Sequence, residues 1–343
     1  MLLSPLTGVW ESLNKMLNLS PQQIAFTQQL GIEYPIICGP MYPCSNPELV
    51  AAVSQAGGIG IVQPISLTYV YGYDFREGLR SIRNLTDKPI GMNALIEQSS
   101  SRYRQRMEQW IDIALEEGVR FFITSLGKPD WVVAKVHACG GLVYHDATEK
   151  KWAEKGLECG VDGLIAVNNR AGGHTGKLGV EQLIADLSVY NKPVICAGGI
   201  SDANGFEQAL SLGYAGVQLG TRFIASTECA SSQPYKEAIV KAREKDIVLS
   251  ERITGIPVSI INTPYVEAEG VNIGSFSQRL LRSNKTKHLM RTMLALRSLW
   301  QLKRASLDKK GKKDYWQAGK SVETINSIES VDKIIQELLG NKK

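Results

Sequence analysis

A single histidine stands in a glycine-rich hexapeptide, Ala-Gly-Gly-His-Thr-Gly, at 171–176. The hexapeptide follows an apolar run at 161–167, which has the length of a buried strand. The two glycines before His174 leave its side chain uncrowded, and an imidazole with a pKa of about 6.5 can accept or donate a proton at neutral pH. His174 is therefore the candidate catalytic acid or base.

Two more glycine turns follow apolar runs, Gly198-Gly199 after 193–197 and Gly220-Thr221 after 214–219. Glycine lets backbone N–H groups approach a ligand without a Cβ in the way, and the Thr221 hydroxyl stands where a helix begins. Such donors suit a phosphate dianion. The alternative is that these glycines only make tight turns between elements.

Polar side chains at the ends of other apolar runs form a second group of candidates. Asn93 and His145 end two predicted strands and are candidate ligand contacts, although hydrogen bonds within the rim explain them equally well. Asn168 and Arg170 precede the histidine loop and are candidate substrate contacts. An outward, solvated Arg170 is the competing interpretation.

The elements that position these residues alternate regularly along the chain. Eight apolar runs are predicted strands, at 34–38, 59–62, 89–95, 119–125, 141–145, 161–167, 193–197 and 214–219. Amphipathic patterns such as 47–55 and 103–117 lie between them and predict helices. This α/β alternation predicts a parallel sheet covered by helices, and eight units fit a (β/α)8 TIM barrel. A doubly wound open sheet would use the same alternation.

After residue 223 the alternation stops, which predicts an appended and mainly helical subdomain. We expect a barrel over 1–230, whose first ~25 residues are an extension, the helical subdomain over 231–318, and a segment over 319–343 that returns to the barrel. Ser330 is the expected N-cap of the last helix.

One segment carries most of the positive charge. Residues 279–313 contain twelve Lys or Arg and one acidic residue, so a chain of net charge +5 carries −6 outside this segment. A packed helix with a solvated basic face, a docking surface for an acidic partner such as acyl carrier protein, and adhesion to an anionic membrane all fit this pattern.

Composition excludes several classes of protein. Hydrophobic residues make up 43% of the chain and charged residues 21%, as in globular proteins. Six separated cysteines without a Cys-x-x-Cys pair indicate reduced thiols, and four scattered histidines predict no metal site. No apolar run is long enough to span a membrane, so we expect a cytoplasmic protein that binds a small molecule and no nucleic acid.

The order of the motifs PIICGPM (35–41), NPELVAAVSQAGGIG (46–60), AGGHTG (171–176), AGGI (197–200) and GVQLGTRF (216–223) resembles the nitronate monooxygenase family, formerly 2-nitropropane dioxygenases. A weaker similarity continues in WQAGKSV (316–322). The resemblance implies an FMN-containing barrel with His174 as the active-site residue. It further implies cofactor contacts at Asn93, His145, Gly172, Gly173, Gly198, Gly199, Gly220 and Thr221.

The substrate stays open at this point. Members of the best-defined class carry Gln-Gly-x-Glu before the histidine loop, where this chain has Asn168-Asn169-Arg170. Nitronate oxidation to a carbonyl compound and nitrite is the first hypothesis. The alternatives are an NAD(P)H-dependent flavin reductase, of the enoyl-acyl-carrier-protein or quinone type, and a flavin-binding scaffold without activity. A homodimer is a further candidate state.

Overall fold

The computed structural model describes residues 18–97, 101–252, 255–272, 297, 299–307 and 314–340. Within them eight parallel strands close into a barrel: β1 Ile36–Cys38, β2 Ile59–Val62, β3 Ile90–Leu95, β4 Phe121–Ser125, β5 Leu142–Ala147, β6 Gly163–Val167, β8 Val194–Ala197 and β9 Gly216–Leu219. A short strand outside the barrel, β7 Gly173–His174, lies in the loop after β6. Because β9 pairs back onto β1, with Gln218 opposite Ile37, the sheet is closed and the predicted TIM barrel is confirmed.

Helices follow the strands and cover the barrel: α1 Pro21–Leu30, α2 Pro47–Gln55, α3 Phe75–Arg83, α4 Ser101–Glu116, α5 Asp130–His137, α6 Lys150–Glu158, α7 Val180–Leu187, α8 Ala203–Ser211 and α9 Thr221–Ile224. The sequence sets their ends. Asp202 caps α8 by accepting from the backbone N–H of Gly205, and Asp74 caps α3 in the same way.

Alternation along the strands divides the core into an inner and an outer layer. On β5, Tyr144 lies inside the barrel and its ring meets Phe121 edge-on, with 5.2 Å between ring centroids. The neighbouring Val143 belongs to the outer layer between sheet and helices. Because successive side chains of a strand point to opposite faces, each strand position has a defined side.

Helix α1 closes the amino-terminal end of the barrel. Ser20 and Gln23 form a capping box that starts the helix, and Gly31, with a φ of 67°, ends it. Phe26 is fully buried among the inner-layer residues, and the side-chain amide of Gln23 donates to the carbonyls of Leu210 and Tyr214. From the sequence, the first ~25 residues are predicted to be an extension without an assigned element. Helix α1 was therefore not predicted.

The segment after the barrel contains two strands that were not predicted. It contains α10 Gln233–Lys241 and α11 Pro264–Glu269, but also β10 Ile247–Ser250 and β11 Val258–Ile261. These two strands and β7 form a three-stranded antiparallel sheet in the order β10-β11-β7. In the described part of 231–318 these two strands add to the expected helices, and the limits of the subdomain stay a prediction.

The last helix is α12 Val331–Leu338, and the Ser330 side chain caps it as predicted. It packs against α2 and α8. Most of the basic segment 279–313 lies outside the described residues, so the proposals for its role remain predictions. Among the residues that are described, no helix is long and apolar enough to cross a membrane.

Candidate active site

Several polar side chains point into the barrel near the carboxyl ends of its strands, and three of them share one property. They are Asn93 on β3, Asp146 on β5 and Gln218 on β9, and the strand neighbours of each belong to the outer layer. Asn93 Oδ1, Asp146 Oδ1 and Gln218 Oε1 are buried and have no hydrogen-bond partner among the residues that the structure describes. Because native proteins rarely leave buried polar atoms unpaired, these oxygens mark a place for a ligand.

The predicted phosphate turns lie at the same end of the barrel. Gly198 and Gly199 adopt φ values of 115° and 83°, in the region that favours glycine. A Cβ on Gly198 would lie 2.6 Å from Asn168 Oδ1, so the chain passes too closely for a side chain. Within the described residues, the backbone N–H groups of Gly199, Gly220 and Thr221 donate no hydrogen bond. They are available to an anion.

Asn168 braces the loop between β6 and the histidine. Its side-chain amide donates to the Gly198 carbonyl at 2.9 Å, and its Oδ1 accepts from the backbone N–H of Arg170 at 2.8 Å. The side chain is fully buried. The predicted substrate contact at Asn168 is therefore wrong, because this amide spends its hydrogen bonds on the two loops and does not face an open space.

The Arg170 guanidinium is paired with Glu244. Two hydrogen bonds of 3.0 and 2.8 Å join their side chains, and Lys320 Nζ lies 3.3 Å from the same carboxylate. This pairing lowers the pKa of Glu244, chiefly through the hydrogen bonds from Arg170. In this geometry Arg170 fastens the loop after β6 to residue 244, and its role as a substrate contact remains a prediction.

His174 lies on β7, where it is held opposite Val258 of β11. Pairing with this second sheet fixes the backbone of the histidine, and a Cβ on Gly173 would lie 3.1 Å from Gln317 Oε1. The side chain keeps contact with solvent, yet the protein around it lowers the pKa of the imidazole by desolvation. This shift of the pKa favours the neutral imidazole.

His145 does not belong to the site. It follows the inward Tyr144 on β5 and points outward, where a Cβ on Gly156 of α6 would lie 2.9 Å from its Cδ2. Its Nδ1 is hydrogen-bonded to Thr124 Oγ1 at 2.9 Å, and burial lowers its pKa to about 4. The predicted cofactor contact is wrong because the ring occupies the layer between sheet and helix.

The carboxyl-terminal segment completes the rim, and sequence reasoning missed its part in the site. The Gly319 backbone N–H donates to Thr221 Oγ1 at 2.9 Å, next to the glycine turns. Trp316 fixes the approach, since its ring stacks on Tyr235 and its Nε1 donates to the Ala305 carbonyl. The motif at 316–322 was the available sequence signal for this segment. It did not indicate that the segment contacts the turn at Thr221.

These features fit a phosphorylated planar heterocycle such as FMN. Three available backbone N–H groups suit its phosphate, and the unpartnered amides of Asn93 and Gln218 suit a ring edge that presents both donors and acceptors. The glycines leave room where any Cβ would collide with the neighbouring loop.

The sequence profile of the nitronate monooxygenase family matches residues 23–341. The chain belongs to this family. A probable nitronate monooxygenase from Staphylococcus saprophyticus is 30% identical over 282 residues, covering 70% of this chain and 79% of that protein. The (3aS,4S,5R,7aS)-5-hydroxy-7a-methyl-1-oxo-octahydro-1H-indene-4-carboxyl-CoA dehydrogenase of Rhodococcus jostii is 30% identical over 251 residues, covering 73% and 69%.

Among solved structures, FabK from Thermotoga maritima superimposes with a TM-score of 0.75 at 30% identity, covering 93% of this chain and 95% of that one. The relatives of this nitronate monooxygenase family member are oxidoreductases, and the chain is an enzyme of that class. Family membership does not determine the substrate, because relatives with one fold are named for different reactions.

Proposed function

We propose that this chain is an FMN-dependent oxidoreductase that oxidises alkyl nitronates with O2 to a carbonyl compound and nitrite. The observation that carries the proposal is the set of unpartnered oxygens on Asn93 and Gln218. They face the barrel interior at the end where the glycine turns offer free N–H groups. When bound, FMN would supply the transfer of electrons from the nitronate to O2.

The residues divide the remaining work. The N–H groups of Gly199, Gly220 and Thr221 would hold the phosphate, and the amides of Asn93 and Gln218 would orient the ring. His174 would bind the anionic nitronate when protonated, or take the α-proton of a neutral nitroalkane when neutral. The lowered pKa of His174 favours the second role at neutral pH.

The test is a visible absorption spectrum of the purified protein under anaerobic conditions, before and after an alkyl nitronate is added. We expect a yellow protein whose absorption bleaches with the nitronate alone and returns when air is admitted. NADH and NADPH are added in parallel cuvettes. Bleaching only by a nicotinamide would contradict nitronate oxidation.

A second candidate function is an NAD(P)H-dependent flavin reductase acting on a thioester, of the enoyl-acyl-carrier-protein type, or on a quinone. The observation that favours it is at 168–170, where this chain departs from the best-defined nitronate monooxygenases and Arg170 is paired with Glu244. The likeness to FabK and to a carboxyl-CoA dehydrogenase supports the thioester reading. In the same experiment, reoxidation by an enoyl thioester after nicotinamide bleaching would establish it.

A non-catalytic flavin scaffold would leave His174 without a role; it predicts no turnover in wild type and no measurable change in His174→Ala. The acyl-carrier-protein partner, the cytoplasmic location, the homodimer and the domain limits at 230 and 318 remain predictions. The first of these depends on the basic segment 279–313.

A further inference from the structure

Two neighbouring residues of β5 face opposite environments. His145 points outward into the layer beneath α6, so Asp146, the next residue, points into the barrel on the same side as Tyr144. Asp146 lies near the carboxyl end of β5, as Asn93 and Gln218 do on β3 and β9. It is the one carboxyl group among these three inward side chains.

Among the described residues, the inner faces of β5 and of the two strands beside it carry no cation that would stabilise a carboxylate. The adjacent strands β4 and β6 carry no titratable side chain, and the one other titratable group on the inner face of β5 is Tyr144. His174 stands on the rim beyond β6. The inward polar side chains Asn93, Gln218 and Ser125, the last of them on the adjacent strand β4, are uncharged. Burial in this setting raises the pKa of Asp146 to about 7, with desolvation as the cause.

Asp146 is partly buried at the barrel mouth, and its buried Oδ1 accepts no hydrogen bond from the described residues. A charged carboxylate without partners would be strongly disfavoured there. A neutral carboxylic acid carries one O–H donor, and such a donor needs an acceptor. No described residue is hydrogen-bonded to Asp146 Oδ1, so we assign the acceptor to whatever fills the barrel mouth.

We propose that Asp146 is a proton-holding residue of the cofactor site, which binds as the neutral acid and donates a hydrogen bond to an acceptor atom of the FMN ring system. This inference rests on the proposed function. It assigns to Asp146 a role that the sequence did not indicate, and this role is separate from that of His174. Loss of the proton would leave a carboxylate facing electron-rich ring atoms, so binding of FMN should weaken as the pH rises.

The experiment measures the Kd for FMN from pH 5 to 9 with wild type, Asp146→Asn and Asp112→Asn. FMN fluorescence reports binding, and the visible spectrum of the bound flavin is recorded at each pH. Asp112 is an exposed acid outside the barrel, paired with Lys135, and serves as the matched control. For wild type and Asp112→Asn we expect a constant Kd at low pH and a rise of up to about tenfold per pH unit above about pH 7.

Asp146→Asn keeps a donor that cannot lose its proton, so its Kd should be independent of pH across this interval. A rise in this variant equal to that of wild type would overturn the proposal, as would a wild-type Kd that does not change. The pKa of His174 is lowered from its ordinary value, so its titration does not produce a rise of the Kd above pH 7. If wild type binds no FMN at any pH, the proposed function fails as well, which separates the two failures.

Thermal unfolding of the flavin-free protein gives a second readout that needs no cofactor. The folded state raises the pKa of Asp146, so its contribution to stability is present at low pH and is lost as the pH rises through about 7. The melting temperature of Asp146→Asn relative to wild type should therefore increase from pH 5 to pH 8. A difference that does not change with pH would show that the group is not held neutral.

Discussion

The backbones of Gly172 and Gly319 are in contact across the rim of the barrel. A Cβ built on Gly172 would lie 2.8 Å from Gly319 N, and one built on Gly319 would lie 2.7 Å from Gly172 N and 2.5 Å from Arg170 O. Real Cβ atoms do not approach backbone so closely, so neither position tolerates a side chain without movement. The loop that carries His174 therefore rests directly on the carboxyl-terminal segment.

Gly319→Ala should displace the histidine loop. The φ of Gly319 is −96°, which alanine adopts freely, so the effect would come from contact and not from backbone strain. We expect a loss of about 1–3 kcal/mol of stability and a fall in turnover, measured by urea denaturation and steady-state kinetics. The control is Gly205→Ala in α8, where the nearest atom lies 3.4 Å away. Equal behaviour of the two variants would contradict the contact.

Gly199→Ala should weaken FMN retention. Gly199 has a φ of 83°, and its Cβ would lie 2.8 Å from Arg170 Nε. Gly213→Ala is the matched control, because Gly213 has a φ of 98° but nothing within 4 Å of a Cβ. Both variants should lose about 1 kcal/mol of stability from backbone strain. Only Gly199→Ala should raise the Kd for FMN, and a similar rise in both would remove the phosphate assignment.

His174→Ala should keep the flavin and lose about 10²- to 10⁴-fold in turnover, the usual contribution of a positioned acid or base. His137→Gln, which alters an exposed histidine paired with Asp162, should be unchanged. If the neutral imidazole is the base, wild-type kcat/KM for a nitroalkane should fall as the pH drops through a value below 6.5. A pH profile that survives the alanine substitution would assign the titration to another group.

His145→Asn should remove a source of acid sensitivity. Burial lowers the pKa of His145 from 6.5 to about 4, so its contribution to stability is present above 6.5 and is lost as the pH falls towards 4. The loss would amount to roughly 3 kcal/mol. Urea denaturation of the flavin-free protein at several pH values would show a shallower acid limb for the variant. Unchanged FMN affinity in His145→Asn would also support its place outside the site.

The Arg170–Glu244 pair should contribute little to stability, because about a third of each side chain is exposed. A double-mutant cycle with Arg170→Gln and Glu244→Gln should give a coupling of about 0.5–1 kcal/mol at pH 7. Arg170 lowers the pKa of Glu244, so this coupling is present above the ordinary Glu value and disappears as the pH falls through the lower, folded one. A coupling that persists at pH 2 would not be ionic.

The barrel could be predicted because its signal is local. Each apolar run and its helix lie next to one another in the chain, and closure follows from their number. β10 and β11 were missed because each has only four residues, and because β11 also pairs with β7, more than eighty residues away in sequence. Helix α1 was missed because its apolar side chains are few, and it is stabilised by Phe26 in the barrel interior.

The site residues could be predicted where the residue type itself, glycine or histidine, indicates the role. They were harder to predict where the role depends on which face of a strand the side chain lies on. His145 and Asp146 are adjacent, and a shift of one residue in the predicted end of β5 exchanges which of them faces the ligand. The sequence pattern of this short strand did not define that end. Asn168 looked like a free amide because the carbonyl that it binds, on Gly198, follows a different strand.

Helix α1 leaves the inward polar groups reachable from one direction. Phe26 fills the amino-terminal end of the barrel, so any small molecule must come and go at the carboxyl ends of the strands, past His174. An electron donor and an electron acceptor would then compete for one entrance, and the first product must depart before the second reactant arrives. Double-reciprocal plots at varied concentrations of both reactants should accordingly give parallel lines, whichever substrate pair the enzyme uses.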